Sequence, residues 1–207
     1  MAKTCEPISS LAPTLRQPLV AWAESLRVDV PHQLQVTRLA LQIFDETRSL
    51  HGEDEHARAL LEIAALLHDV GFSIDIKAHH KHSHDMILEH GIPGFTKQDA
   101  RAVACVARYH RKTEPSPDHP TFAKLDGPAR DTVRRLSAIL RVADALDRSH
   151  QDRVRRITCE VSPSEVTLRL DVVGDMEMEL YGLEKKKSFF EDLFKRALRV
   201  EIHEAPV

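Results

Sequence analysis

The stretch Glu53–Gly71, EDEHARALLEIAALLHDVG, decides the fold. Leu60, Leu61, Ile63, Ala64, Leu66 and Leu67 leave it apolar nearly all round. A helix without a polar stripe has to be surrounded by other elements, which predicts the central helix of a bundle over residues 53–70. It closes on His68-Asp69, and Gly71 follows where a C-cap glycine would stand. Two adjacent polar groups at the buried end of such a helix are costly unless something pairs with them. A divalent cation does so well, since neutral imidazole and carboxylate suit Mg, Mn, Fe or Zn.

Outward from this centre, residues 14–27 predict a first helix. Asp29-Val-Pro31 supplies a capping residue and a first-turn proline for a second, reaching about Leu50. His51-Gly52 ends it. After the central helix, a histidine-rich link leads into a short helix through Leu88, broken by Gly91-Ile-Pro-Gly94. Thr96-Lys-Gln-Asp99 resembles a capping box that opens a helix to about His110. Residues 111–131, with four prolines and a glycine, predict a long surface loop, and residues 131–151 a last long helix. The pattern then alternates as strands do, over 156–160 and 165–171, with a third candidate at 176–180. A helix over 183–198 and a strand over 199–203 follow. The expected fold class is mainly α. A loose lead-in occupies 1–13, a helical bundle 14–151, and a small α/β subdomain 152–207.

Several helices bring a polar residue in on an apolar stripe. His32 shares a face with Val36, Leu39 and Ile43, and His110 with Val103, Val106 and Ala107. Asp144 lies a turn beyond Leu140, on a helix packed through Val133 and Leu136. A lone inward histidine is usually a satisfied core residue, and Asp144 could merely pair with Arg148 or Arg141. Imidazoles and two aspartates converging from successive helices are metal-site chemistry. The run His79-His-Lys-His-Ser-His84 reads equally as adventitious metal binding or as a solvated helix start. Arg108, Arg111 and Lys112 flank His110 and are candidates to hold an anionic substrate, or are solvated surface.

Composition narrows the function classes. The net charge of −3 has both signs interspersed, so neither a nucleic-acid footprint nor a polybasic membrane surface is expected. No apolar run nears the roughly 20 residues of a membrane helix, and no secretory leader is evident, so the expected location is the cytoplasm. Cys5, Cys105 and Cys159 form no CxxC pair, which fits a reducing compartment and argues against a cysteine zinc site.

The order His32, His68-Asp69, Asp144 resembles the HD metal-dependent phosphohydrolase superfamily. A closer similarity is to the C-terminal region of the exopolyphosphatase and guanosine pentaphosphate phosphatase (Ppx/GppA) family. It is carried by Ala64–Gly71 (AALLHDVG), His79–Ser83 (HHKHS), Pro93–Phe95, Ala107–Lys112 (ARYHRK) and Leu140–His150 (LRVADALDRSH). The resemblance implies His32, His68, Asp69 and Asp144 as core metal ligands, with His82 and His110 serving a second ion. One or two divalent ions per chain, Mn, Mg, Fe or Zn, are its implied cofactors. The implied activity is metal-dependent hydrolysis of a phosphate ester or anhydride in a nucleotide, an alarmone or a polyphosphate-like polymer.

In that reading Asp69 bridges the ions, and His110, Arg111 and Lys112 act at the reacting phosphoryl group. One of His79, His80 or His84 supplies a general acid. Full-length members of the family carry an actin-like ATPase-type fold. Its glycine-rich phosphate loops have no counterpart here, where glycines number seven and no βαβ pattern is evident. Processive polyphosphate hydrolysis by that fold is therefore not expected of this chain. The alternative is a noncatalytic module that binds polyphosphate or an alarmone, or that forms a homodimer.

Overall fold

A computed structural model describes residues 9–204. The lead-in residues 1–8, Cys5 among them, lie outside the described residues. The rest of that segment is packed rather than loose. Leu11 is buried, Ser10 N donates to Glu62 Oε2 at 2.8 Å, and Ser9 Oγ donates to Glu62 Oε1. Ten helices and three strands follow among the described residues: α1 Pro13–Ser25, α2 Val30–Glu46, α3 Arg48–His51, α4 Glu55–Leu67, α5 His79–His90, α6 Lys97–Arg108, α7 Pro120–Ala123, α8 Gly127–Ala145, β1 Val154–Val161, β2 Glu165–Val172, α9 Glu177–Lys186, α10 Ser188–Phe194 and β3 Ala197–Glu204. No helix among the described residues is long and apolar enough to cross a membrane.

α4 is the centre, as its apolar sequence requires: every residue from Ala57 to Leu67 is buried, and α1, α2, α6 and α8 pack around it. Side-chain oxygens cap four of these helices. Asp29 accepts from His32 N, Asp54 from Ala57 N and Asp126 from Ala129 N, while Thr96 and Asp99 form a complete capping box. Asp126-Gly-Pro128 starts α8 four residues earlier than expected. It repeats the Asp-x-Pro start of α2, and its glycine and proline disguise it as loop. The expected loop also holds α7. α2 breaks at Thr47, whose hydroxyl donates to Ile43 O at 2.6 Å, and Gly52 (φ +66°) closes α3.

Gly71 corrects its expected role. His68 is the C-cap of α4, and Gly71 sits in a 3-10 turn, Val70–Ser73, with ordinary φ. It is glycine because α5 passes over it. A Cβ there would lie 2.2 Å from His79 O and 2.5 Å from Ser83 N, and Gly71 N donates to Ser83 Oγ at 2.9 Å.

The C-terminal region departs further from expectation. Met176 caps, and Glu177–Leu180 begin, α9, which packs on α8, so this segment is helix rather than strand. β1 and β2 form an antiparallel hairpin, whereas β2 and β3 pair parallel across α9 and α10. That is a βαβ crossover where the sequence shows none. It goes unseen because α9 and α10 are two short helices broken at Lys187. The free edge of β1 is covered by α2: Gln35 Nε2 and Arg38 donate to Val154 O, Ile157 N donates to Gln42 Oε1, and Cys159 N to Glu46 Oε2. Four residues on one face of α2 thus satisfy an edge that would otherwise be open to other chains.

Two outcomes are expected. Gly71→Ala should lower stability by about 3 kcal/mol, seen as a melting temperature reduced by roughly 6–12 °C, because α5 must move away. His51, buried in α3, hydrogen-bonds to Phe44 O through Nε2 and accepts from Glu53 N at Nδ1, which only the neutral ring can do. Burial pushes its pKa below 6.5. The unfolded chain therefore binds a proton there before the folded chain does. The stability His51 contributes is full above pH 6.5 and is lost as pH falls through its depressed pKa. Urea midpoints between pH 5 and pH 7.5 should change less steeply in His51→Gln than in the parent.

Candidate metal centre

α4 delivers His68 and Asp69 at its C-terminal end; α2, α6 and α8 pack on α4, and α5 packs on the 3-10 turn that follows it. α2 brings His32 on its apolar stripe, α8 brings Asp144 near its last turn, and His110 follows α6 by two residues. Two groups of donors result, sharing His68: His32, His68 and Asp144, and His68, Asp69 and His110. Within each group the ligand atoms all lie within 4.8 Å of one another. His32 Nε2 stands 3.6 Å from Asp144 Oδ1 and 3.8 Å from Asp69 Oδ2, and His68 Nε2 stands 3.4 Å from Asp69 Oδ2.

Each imidazole is held by its other nitrogen. His68 Nδ1 is bonded to Ala65 O, His110 Nδ1 to Ala107 O and His79 Nδ1 to Ile76 O, at 2.8, 2.6 and 2.7 Å. His32 Nδ1 is bonded to Asp147 Oδ2 at 2.7 Å. A carbonyl or carboxylate can only accept, so Nδ1 carries the proton in all four rings and Nε2 is aimed at the centre. Metal-binding histidines are oriented in this way. The centre also passes a test of fit. His68 Nε2 and Asp69 Oδ1 are buried without a hydrogen-bond partner, a state a bound cation would relieve.

Within the cluster the charged groups offset one another. Burial opposes charge on His32, but the Asp144 and Asp147 carboxylates overcome it and raise its pKa to about 10. Burial likewise disfavours the Asp144 anion, yet the Lys186 ammonium and the hydrogen bond to His32 hold it well below the usual carboxylate range. Burial drives His110 well below 6.5 and lowers His79, keeping both neutral and able to ligate.

The structure brings together His32, His68, Asp69, His110 and Asp144. It does not bring His82 to them: that residue is half-buried with its Cβ over Gly71, and the imidazole beside Asp69 is that of His79. His79 Nε2 stands 3.2 Å from Asp69 Oδ1 and 3.3 Å from His110 Nε2. The first residue of α5 faces the 3-10 turn and stacks on Phe72 at 3.9 Å. The cluster of four histidines could not show by spacing which turn that would be. His80 and His84 are buried outside the cavity lining, with pKa values lowered chiefly by burial, His80 to about 4.

Of the expected anion-binding cations, Arg111 lines the cavity, 3.3 Å from His79 Nε2. Lys112 is turned to Lys77 O and is exposed, and Arg108 is not part of the lining. The cavity, about 320 Å³, is lined by the donors His32, Asp69, His79, His110 and Asp144, by Phe72 and Met178, and by the basic residues Arg111, Arg148, His150 and Lys186. α8 ends at Ala145, short of its expected end at 151. His150 (φ +56°) can therefore fold back to stack on His32 at 3.7 Å and bond to Asp29. Arg141 ties the segment after α6 in place through Tyr109 O at 3.0 Å. Sequence reading missed Asp147, although it lies three residues after Asp144 in the same motif. It also missed Lys186, for which no local signal exists.

The family model described as Ppx/GppA phosphatase, domain III, matches residues 17–187, and the chain belongs to that family. Three curated relatives each carry the name guanosine-5'-triphosphate,3'-diphosphate pyrophosphatase. The Vibrio vulnificus protein is 29% identical over 147 residues, 70% of this chain and 29% of the relative. The Pseudoalteromonas atlantica protein is 28% identical over 134 residues, 63% and 26% respectively. The Vibrio campbellii protein is 25% identical over 151 residues, 70% and 29%. The chain thus spans less than a third of the length of these relatives.

Asp147 acts on the centre only through His32, and this separates orientation from ligation. Asp147→Ala should weaken Mn²⁺ binding by roughly ten- to a hundredfold in calorimetric titration, while circular dichroism still reports a folded helical protein.

Proposed function

We propose that the chain is a metal-dependent phosphohydrolase of HD type, with His32, His68, Asp69 and Asp144 holding one divalent ion. His110, with His79, extends the donor set on the other side of Asp69. The observation that carries this reading is the set of four imidazoles, each with Nδ1 tied down and Nε2 directed at two aspartates. Ordinary core histidines satisfy both nitrogens, whereas these leave donor atoms facing one another. A divalent ion held there supplies Lewis acidity toward a phosphate oxygen and lowers the pKa of water. Asp69, with its two oxygens on opposite sides of the cluster, orients the two donor groups to each other. Arg111 lines the cavity and is available to bind phosphoryl oxygens. His79, neutral with its proton on Nδ1 held by Ile76 O, has Nε2 free to accept a proton from an attacking water.

The substrate class is a phosphate ester or anhydride, and the names of the relatives make guanosine pentaphosphate the first compound to assay. The test is metal analysis of the purified protein, then hydrolysis of guanosine pentaphosphate, pyrophosphate and a phosphomonoester with added Mn²⁺ or Mg²⁺. Asp69→Ala should lose bound metal and reduce hydrolysis at least about a hundredfold, the order expected when a metal ligand that also orients the site is removed. Asp69→Ala keeping full metal and full hydrolysis would sink the site. Parent protein that holds metal and binds these phosphates without turnover would instead establish the noncatalytic binding module.

A further inference from the structure

The C-terminal region reaches into this centre through one residue that the reading above leaves without a role. Glu179, Gly182 and Lys186 are spaced three and four residues apart, which places them on one face of α9, and that face lies on α8. Glu179 is buried and its Oε1 accepts from Ser149 N at 2.8 Å. Gly182 permits the close approach: a Cβ there would stand 2.7 Å from Arg148 Cδ and 3.4 Å from Ala145 O. One turn further on, Lys186 Nζ is paired with Asp144 Oδ2. The two oxygens of Asp144 are thereby divided. Oδ1 faces His32 Nε2 and His68 Nε2, while Oδ2 is taken by the ammonium. Lys186 also lines the cavity, as do Arg111 and Arg148.

We propose that Lys186 is an exchangeable cation of the site: it neutralises Asp144 when no metal is bound, and on metal binding it turns into the cavity to hold the phosphate of the substrate. This rests on the metal-centre reading and adds to it a residue contributed by α9. An ammonium and a divalent ion sharing one largely buried carboxylate repel each other strongly at such range, so the two compete. The four-carbon stem of lysine lets its charge move without moving α9, which Glu179 and Gly182 hold on α8. The displaced ammonium then faces the same cavity as Arg111, where a charge-assisted hydrogen bond to a phosphate oxygen replaces its bond to Asp144. One side chain thus couples an occupied centre to an anion-binding cavity.

Competition and phosphate binding predict changes of opposite sign in one variant, which a purely structural lysine would not produce. Mn²⁺ is titrated by calorimetry into the full chain and into Lys186→Met, and inorganic phosphate is then titrated into each Mn²⁺-loaded protein. Lys186→Met should bind Mn²⁺ about tenfold more tightly and phosphate about tenfold more weakly. Lys186→Gln, which retains a hydrogen-bond donor for Asp144, should shift both affinities in the same directions and carries the measurement if the Met variant does not fold. Parent and variants binding Mn²⁺ equally well, or phosphate affinity unchanged by the substitution, would overturn the inference while leaving the metal centre standing. No Mn²⁺ binding by any of the proteins would overturn both. Binding by the variants alone would support the exchange, with Lys186 then holding the site closed to metal in the parent.

Discussion

The structure depends on the packing of donor atoms that have no hydrogen-bond partner against one another at the end of α4. His68 Nε2 and Asp69 Oδ1 are both buried, and burying such groups unpaired costs a protein of this size a large part of its net stability. Around them the bundle supplies partial compensation from every side: His32 from α2, His79 from α5, His110 after α6, Asp144 from α8 and Lys186 from α9. The arrangement is one in which positive charge is required. A proton on His32 and the Lys186 ammonium meet that need in the chain alone.

This requirement accounts for features that packing alone leaves unexplained. Gly71 exists so that α5 can approach closely enough for His79 to face Asp69. Arg141, a buried cation, binds backbone carbonyls of the segment carrying His110 and Arg111 rather than a carboxylate. His150 adopts a left-handed backbone and lies flat on His32. Each holds a donor or its supporting residue in position, and each lies outside the hydrophobic contacts that make the bundle.

The C-terminal sheet belongs to the same system. α2 holds His32 on one face and covers the β1 edge with Gln35, Arg38, Gln42 and Glu46 on another, so the helix that positions a donor also positions the sheet. The β2–β3 crossover then sets α9 against α8, and this brings Lys186 to Asp144 across 42 residues of sequence. The sheet adds no donor atom from its strands. What it contributes is the placement of one cation, by fixing both ends of the crossover that carries it.

Much of this was legible in the amino-acid sequence. The unbroken apolar run of α4 required a central position, and the stripes of α2, α6 and α8 required His32, His110 and Asp144 to point inward, since periodicity sets direction within a helix. Capping residues placed the starts of α2 and α6, at Asp29 and Thr96. Direction along one helix says nothing, however, about which turn of another it meets. Spacing therefore could not separate His79 from His82, because that choice depends on how closely α5 passes over Gly71. Nor could it distinguish the strand-like 176–180 from the start of α9, because short segments take their conformation from what they pack against. Lys186 was invisible for the same reason. Its role is set by a carboxylate on another helix, and only the folding of the C-terminal crossover onto α8 brings the two charges together.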